Sequence, residues 1–148
     1  MTEADYQTFL AQFIPVYAAE KVLAGNWTKA ESLEHSQQEM EKLLPQGIQT
    51  PGQFVYKLVN EGAEAVGLLW YGSPDNRPGE AYIFQFEIYE PFRRRGYASQ
   101  ALSALGVQAK AQGFKRLALH VFGFNTAARE MYRKSGFAET NVNMAREI

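Results

Sequence analysis

The stretch that decides the fold is residues 81–112, which read AYIFQFEIY EPFRRRG YASQALSALGVQAKAQ. Most of its first nine positions are apolar, which is typical of a strand that is buried on both faces. Pro91 ends this strand, and a loop of three consecutive arginines leads to Gly96. Apolar residues then recur at helical spacing from 97 to 112, and Gly113 follows. The sequence therefore predicts a central strand, a basic loop and a helix in direct succession.

Alternating helical and strand patterns surround this central unit. Periodicity and stop signals predict helices at 4–23, 28–44, 97–112 and 125–135, strands at 53–59, 65–71, 81–89 and 115–122, a loop at 72–79, and one or two strands within 137–148. Thr28, with Glu31 three residues later, has the spacing of a capping box at the second helix. This order predicts a mixed α/β (α+β) sandwich, and one domain over residues 1–148 is expected at this length.

Composition limits the class of protein. The chain has 148 residues, 46% of them hydrophobic, and no cysteine, so it can bury a core and has no disulfide framework or thiolate chemistry. The acidic N-terminus lacks the basic region of a signal peptide, and no apolar run approaches a membrane span, so we expect a cytoplasmic protein with no membrane partner. His35 and His120 lie far apart, so no metal site is predicted, and His35 is expected to be solvated.

The net charge of −1 conceals an asymmetry along the chain. Residues 1–90 hold 13 acidic and 5 basic side chains, a net charge of −8, whereas residues 91–148 hold 3 acidic and 10 basic side chains, a net charge of +7. Such asymmetry indicates a charged ligand, with two differently charged solvated faces as the alternative. The three consecutive arginines share one loop and form no stripe along a helix, so we expect no nucleic-acid partner.

The arginine loop has the chemistry of an anion-binding site. The first N–H groups of a helix have no intrahelical partners, and the helix dipole adds partial positive charge at that end. Together they predict a site for a phosphate or pyrophosphate. Gly96 lets the backbone approach a ligand because it has no Cβ, and the arginines at 93–95 raise the local potential. An ordinary solvated basic loop is the alternative.

Two spaced motifs carry a resemblance to a known family. The loop residues Arg93, Gly96 and Ala98 match the pattern Gln/Arg-x-x-Gly-x-Gly/Ala. Further along, a strand and helix carry the spacing Asn125-x-x-Ala128-x-x-x-Tyr132-x-x-x-Gly136-Phe137. These patterns resemble the pyrophosphate loop and the second motif of the GNAT family of acetyl-coenzyme A-dependent N-acetyltransferases. The resemblance covers residues 80–140, and the first 50 residues match the family's variable N-terminal helices loosely.

The resemblance implies a fold and a cofactor. The GNAT fold has a mixed, mostly antiparallel central sheet of about six or seven strands flanked by helices, in which strands 81–89 and 115–122 lie side by side and splay apart. The pantetheine arm of acetyl-coenzyme A would enter between them. The residues that the resemblance assigns to the cofactor are Phe86, Ile88, Arg93, Arg94, Arg95, Gly96, Tyr97, Ala98, Ser99, Asn125 and Ala128.

The resemblance also implies roles in acetyl transfer by direct attack in a ternary complex. Tyr132 would protonate the leaving thiolate, since a phenol of ordinary pKa, about 10, is comparable to the thiol; a core aromatic is the alternative. The base stays open between His120, Glu87 and water. His120 stands five residues before Asn125, where ribosomal-protein alanine acetyltransferases carry a glutamate proposed as base. A backbone N–H near Ile88 would stabilise the carbonyl oxygen.

Alternation along strand 81–89 predicts the face on which each side chain lies. In a regular strand, one face carries Gln85, Glu87 and Tyr89, and the opposite face carries Phe84, Phe86 and Ile88. A bulge, which the family has in this strand, would shift that phase.

The acceptor is expected to be a primary amine of a small molecule or a peptide. Carboxylates on the N-terminal helices would attract a cationic acceptor or form solvated helix surface: Glu20, Glu31, Glu34, Glu39 and Glu41. Four aromatic residues would line an acceptor pocket or belong to the core: Trp27, Trp70, Tyr71 and Tyr82. The alternative function is a non-catalytic acyl-coenzyme A sensor on the same fold. The resemblance also allows a homodimer, and the sequence does not determine the oligomeric state.

Overall fold

A computed structural model describes residues 1–74 and 77–148; residues 75–76, within the predicted loop at 72–79, lie outside that description. Within the described residues, the main elements are α1 (Glu3–Leu23), α2 (Ser32–Leu43), β1 (Gln53–Val59), β2 (Ala65–Gly72), β3 (Glu80–Ile88), α3 (Tyr97–Ala111), β4 (Arg116–Leu119) and α4 (Thr126–Lys134). The predicted α/β class is confirmed. The central succession of strand, basic loop and helix is also confirmed, because β3 leads through residues 89–96 directly into α3.

The sheet has the order β1-β2-β3-β4, with two antiparallel pairings and one parallel pairing between β3 and β4. One face packs on the first two helices through a buried cluster of Tyr6, Phe9, Phe13, Met40, Leu44, Val55, Leu68 and Trp70. The opposite face packs on α3 through a second cluster of Leu69, Tyr71, Ala81, Ile83, Leu102, Leu105 and Ala109, against which side chains of α4 also lie. The sheet therefore separates two layers of helices, which is the predicted mixed, mostly antiparallel arrangement.

The described sheet is smaller than predicted. It has four strands rather than six or seven, and no strand forms in the segment 137–148. The apolar residues of that segment are too sparse to give a strand a buried face, and Val142 and Met144 are 64% and 92% exposed. The fourth strand is also shorter than the predicted 115–122, because its pairing with β3 ends at Leu119.

A β-bulge in β3 explains where the two central strands separate. Trp70 of β2 lies opposite Gln85, whereas its neighbour Tyr71 lies opposite Ile83, so Phe84 is an extra residue in β3. A bulge bends its strand and disturbs the ladder. The parallel pairing with β4 accordingly stops at Ile83, although β3 continues to its end at residue 88. The predicted splay of these two strands is confirmed.

The bulge also corrects the predicted faces of β3. Phe84 stacks on Trp70 with ring centroids 4.6 Å apart, on the side of α1 and α2. Phe86 packs on the opposite side, with the α3 cluster. The faces predicted for a regular strand are therefore wrong and the alternative, a bulge in this strand, is confirmed, because the extra residue interrupts the alternation between the two phenylalanines. Beyond the bulge, Glu87 and Ile88 resume regular pairing with β2.

The helix boundaries follow the sequence with one exception. Helices α1 and α3 begin and end within one residue of the predicted bounds. Helix α2 begins at Ser32 rather than after Thr28, because the Thr28 hydroxyl donates to the Glu31 carboxylate at 2.7 Å instead of accepting from a helix N–H. The predicted capping box is therefore wrong.

None of the helices in the described part of the chain has the length and apolar content that crossing a membrane requires.

Candidate active site

A cavity of about 1380 Å³ opens where β3 and β4 separate. Its walls include every predicted site residue except Arg95: Phe86, Glu87, Ile88, Arg93, Arg94, Gly96, Tyr97, Ala98, Ser99, His120, Asn125, Ala128 and Tyr132. The guanidinium of Arg95 instead lies over the ring of Phe92, 5.7 Å from its centroid. The structure therefore brings the two sequence motifs to one space, although they are separated along the chain.

The loop before α3 forms a concave run of backbone donors. Arg94 and Gly96 have positive φ angles of +63° and +84°, a left-handed conformation that turns successive N–H groups to one side. Gly96 is the N-cap of α3 and provides no side-chain cap. Among the described residues, no group accepts a hydrogen bond from the N–H groups of residues 94–99. This set of donors, here called the anion cradle, fits a pyrophosphate in charge and geometry.

Arg93 fastens this loop to the end of β3. Its Nε donates to the carbonyl oxygen of Ile88 at 2.9 Å, and its guanidinium lies 3.7 Å from the Glu87 carboxylate. The side chain is therefore engaged by the protein itself. Its position keeps the cradle beside the strand edge that faces the gap.

The same edge of β3 presents an N–H group to the cavity. The Tyr89 N–H donates to the Val66 carbonyl on the β2 side at 2.9 Å. Because consecutive residues of a strand point their peptide groups to opposite edges, those of Ile88 point towards the gap. The Ile88 N–H is therefore placed to donate to a group that enters between β3 and β4.

Asn125 begins α4 on the far side of the gap. Its side-chain oxygen accepts a hydrogen bond from the Ala128 N–H at 3.2 Å, so it caps the helix. This structural role was not predicted, although the motif spacing of three residues between the two is that of a cap. The cap sets the start of α4, and through it the position of Tyr132 two turns later.

Tyr132 projects from α4 into the cavity beside β3. Its ring centroid lies 6.4 Å from that of Phe86 and 5.5 Å from that of Phe137. Burial raises the pKa of its phenol to about 12, which corrects the ordinary value used in the prediction. The hydroxyls of Tyr17 and Tyr71 have side-chain acceptors, but no hydrogen bond to the described residues engages that of Tyr132. It is a protonated donor whose partner would come from the cavity.

His120 follows the last residue of β4, at the exposed rim of the cavity. Its ring lies edge-on to Phe122 at 4.9 Å. Partial burial lowers the pKa of the imidazole, and the positive charge of Lys21 lowers it further. A lowered pKa means that His120 is predominantly neutral at neutral pH, the protonation state that a base requires.

Two carboxylates face the cavity from the side of α1. Burial raises the pKa of Glu20, and the negative charge of Glu87 adds to the shift. Glu39 also lines the cavity, where it accepts a hydrogen bond from the Tyr17 hydroxyl at 2.9 Å. The other predicted carboxylates are exposed and have local partners: Glu31 with Thr28, Glu34 with Gln38, and Glu41 with Gln37. Of the five predicted carboxylates, Glu20 and Glu39 therefore line the cavity; together with Glu87 of β3 they are here called the acidic wall.

The aromatic candidates divide between the cavity and the core. Trp70 and Tyr71 are only 1% and 0% exposed and belong to the two core clusters. Tyr82 lines the cavity. Tyr17 and Lys21 are among the lining residues that sequence reasoning missed, although their i, i+4 spacing places them on one face of α1.

Comparison with known proteins assigns the chain to a family. It matches the model of the acetyltransferase (GNAT) family over residues 18–137. It is 38% identical to YycN of Bacillus subtilis (strain 168), named an uncharacterized N-acetyltransferase, over all of this chain and 96% of that protein. YdgE of the same organism, with the same description, is 36% identical over all of this chain and 95% of that protein. The crystal structure of YycN has a TM-score of 0.92 and covers 100% of this chain and 95% of that one.

The chain therefore belongs to the GNAT acetyltransferase family, and it is an acyltransferase. The resemblance drawn from the two motifs is confirmed. Members of this family generally use acetyl-coenzyme A as the acyl donor. A shorter match, 35% identical over 63 residues and 43% of each chain, is to the ribosomal protein bS18-alanine N-acetyltransferase of Haemophilus ducreyi.

Proposed function

We propose that the chain transfers the acetyl group of acetyl-coenzyme A to a primary amine of a small molecule or peptide, by direct attack in a ternary complex. The observation that carries this proposal is the continuous cavity, which joins the anion cradle and Tyr132 on one side to His120 and the acidic wall on the other. One space can therefore hold a phosphorylated donor and an amine at the same time.

The described residues fit the donor. Acetyl-coenzyme A, when bound, supplies a thioester whose carbonyl carbon accepts the amine. The N–H groups of residues 94–99 would hold its pyrophosphate, and the open edge of β3 would pair with its pantetheine arm, in the manner of an added strand. The Ile88 N–H would donate to the carbonyl oxygen as negative charge develops there.

Proton transfers accompany the exchange of the C–S bond for a C–N bond. His120 would accept the proton of the amine directly or through a water molecule, because its imidazole is neutral and lines the cavity. The lining residues Glu20, Glu87 and His120 are here called the acceptor side. Tyr132 would donate to the leaving thiolate. Glu87, which lies beside the guanidinium of Arg93, is the alternative base and with Glu20 would attract the protonated amine before reaction.

Acetyl-coenzyme A is expected to raise the thermal midpoint of unfolding by about 5–10 °C when its concentration is about 100 times its Kd, because it binds only the folded chain. Differential scanning fluorimetry measures this shift. Acetyl-pantetheine, which lacks the phosphates, should give a much smaller shift at the same concentration because it leaves the cradle unfilled. The absence of any shift at millimolar acetyl-coenzyme A would refute the proposed function. If acetyl-coenzyme A binds but no amine causes release of coenzyme A, the result would favour the alternative function, a non-catalytic acyl-coenzyme A sensor.

The value of kcat at saturating substrates is expected to fall as the pH drops below 6.5, through a pKa that burial and Lys21 hold below that of free histidine. The sign follows from the role: protonation removes the base, so activity is complete above this pKa and lost below it. In the His120→Ala variant this acidic limb should disappear. If the acidic limb of the pH profile persists in that variant, Glu87 or a water molecule would be the base instead.

A further inference from the structure

Lys21 is a cation that lines the cavity and follows Glu20 of the acceptor side in the chain. It lies near the end of α1 and is the only lysine in the described chain whose side chain is not exposed. Its Nζ lies 5.1 Å from the centroid of the Tyr17 ring and 5.3 Å from that of Trp27. Contact with two aromatic faces favours the ammonium group in a defined position.

The two rings that hold Lys21 are themselves fixed by further contacts. Tyr17 stacks on Phe13 with centroids 5.3 Å apart, and Trp27 lies edge-on to Tyr17 at 5.6 Å. Trp27 also meets the ring of His35 at 5.4 Å, and His35 is half-buried there rather than solvated as predicted. The ammonium of Lys21 therefore lies against a set of packed aromatic rings at the wall of the cavity.

Lys21 has no carboxylate partner within 4.0 Å among the described residues, even though Glu20 precedes it in the chain. The ion pairs that do form involve other cations, such as Lys57 with Asp5 and Lys134 with Glu130. Its charge nevertheless reaches the candidate base, since it lowers the pKa of His120. A half-buried cation with aromatic support and no internal partner is available to a ligand in the cavity.

The acceptor side thus presents charges of both signs. Glu20, Glu87, Lys21 and His120 all line the cavity; the charge of Glu87 raises the pKa of Glu20, and the charge of Lys21 lowers that of His120. A second ammonium group on the acceptor would be repelled by Lys21, whereas a dianion would be repelled by the carboxylates. The charge pattern matches a molecule with one ammonium and one carboxylate.

We propose that Lys21 binds the carboxylate of the acceptor, and that the acceptor is a small amino acid-type molecule, which carries its reactive amine and a carboxylate together. This inference rests on the proposed function and specifies its acceptor. Lys21 acts as a specificity-determining residue: it orients the acceptor with the amine towards His120 and takes no part in proton transfer.

The test compares L-α-amino acids with their own carboxamides, which keep the amine and the side chain but lose the negative charge. Release of the coenzyme A thiol gives kcat/KM for each member of a pair. The ratio of kcat/KM for the amino acid to kcat/KM for its carboxamide is expected to fall about tenfold or more in Lys21→Met. The reason is the loss of one charge-assisted contact. Lys21→Arg should retain most of the ratio. Lys29→Met, at an exposed lysine outside the cavity, should have the wild-type ratio.

An unchanged ratio in Lys21→Met would overturn the inference, and Lys21 would then serve only to stabilise the end of α1, with a lower midpoint of unfolding as its sole signature. Failure of the wild type to acetylate any amino acid, while acetyl-coenzyme A still raises its midpoint of unfolding, would also overturn it. Absence of that shift would instead refute the proposed function, together with the inference that rests on it.

Discussion

Tyr132→Phe is expected to lower kcat by about 100- to 1000-fold, which is typical when one preorganised donor is removed from a reacting centre. Burial raises the pKa of the phenol to about 12, so Tyr132 is protonated over the whole working range of pH. The same burial disfavours a free thiolate in this part of the cavity. A hydrogen-bond donor near the thiolate therefore stabilises it more than it would in water. Stopped-flow or steady-state release of coenzyme A measures the loss.

Tyr56→Phe is the matched control for this change. It removes a hydroxyl that pairs with Gln108 outside the cavity, so it should leave kcat unchanged. The thermal shift produced by acetyl-coenzyme A should be retained in both variants, because neither hydroxyl belongs to the anion cradle. Equal kcat for Tyr132→Phe and the wild type would show that Tyr132 is not the acid and serves only as a core aromatic residue.

Gly96→Ala is expected to weaken acetyl-coenzyme A binding by about 10- to 100-fold, the loss of one or two charge-assisted hydrogen bonds. At φ +84° an added Cβ is strained, and relief of that strain would rotate the N–H groups of Gly96 and Tyr97 away from a bound pyrophosphate. The added Cβ meets no backbone atom of the chain; the nearest atom, 3.6 Å away, is in the side chain of Gln100. Isothermal titration calorimetry measures the change in Kd.

Gly113→Ala separates this effect from general backbone strain. Gly113 follows the opposite end of α3, has φ +89°, and lies outside the cavity. Both substitutions should therefore lower the free energy of unfolding by a similar amount, about 1–2 kcal/mol. Only Gly96→Ala should weaken cofactor binding. Equal affinities in the two variants would show that the loop before α3 does not hold the pyrophosphate.

Most of the residues proposed to bind acetyl-coenzyme A could be predicted from the sequence, because they belong to local motifs. The free N–H groups at the start of α3 follow from a helix preceded by glycine, and the motif around Asn125 carries its own spacing. Each depends on residues that are close in sequence, so motif reasoning reached them without knowledge of packing. The acceptor side was less accessible, because Tyr17 and Lys21 of α1 are far in sequence from His120 and line the same cavity only after α1 docks on the sheet.

Two of the errors of prediction come from contacts between residues remote in sequence, and a third comes from the composition of the last segment. Alternation assigned Phe84 and Phe86 to one face, but the partner strand sets the position of a bulge, and here it places them on opposite faces. The ordinary pKa assumed for Tyr132 was wrong because the shift comes from burial by side chains remote in sequence. The predicted final strands lacked enough apolar residues to form a buried face.

The sequence by itself determined the order of elements from α1 to α4, the anion cradle at residues 94–99 and the membership of the GNAT family, because these depend on local backbone chemistry and on motif spacing. Only the tertiary structure decided how far β3 and β4 separate, that Tyr132 is partly buried with no hydrogen-bond partner for its hydroxyl among the described residues, and that Lys21 and His120 line one cavity. These features depend on contacts between residues far apart in the chain, and such contacts leave no periodic signal in the sequence.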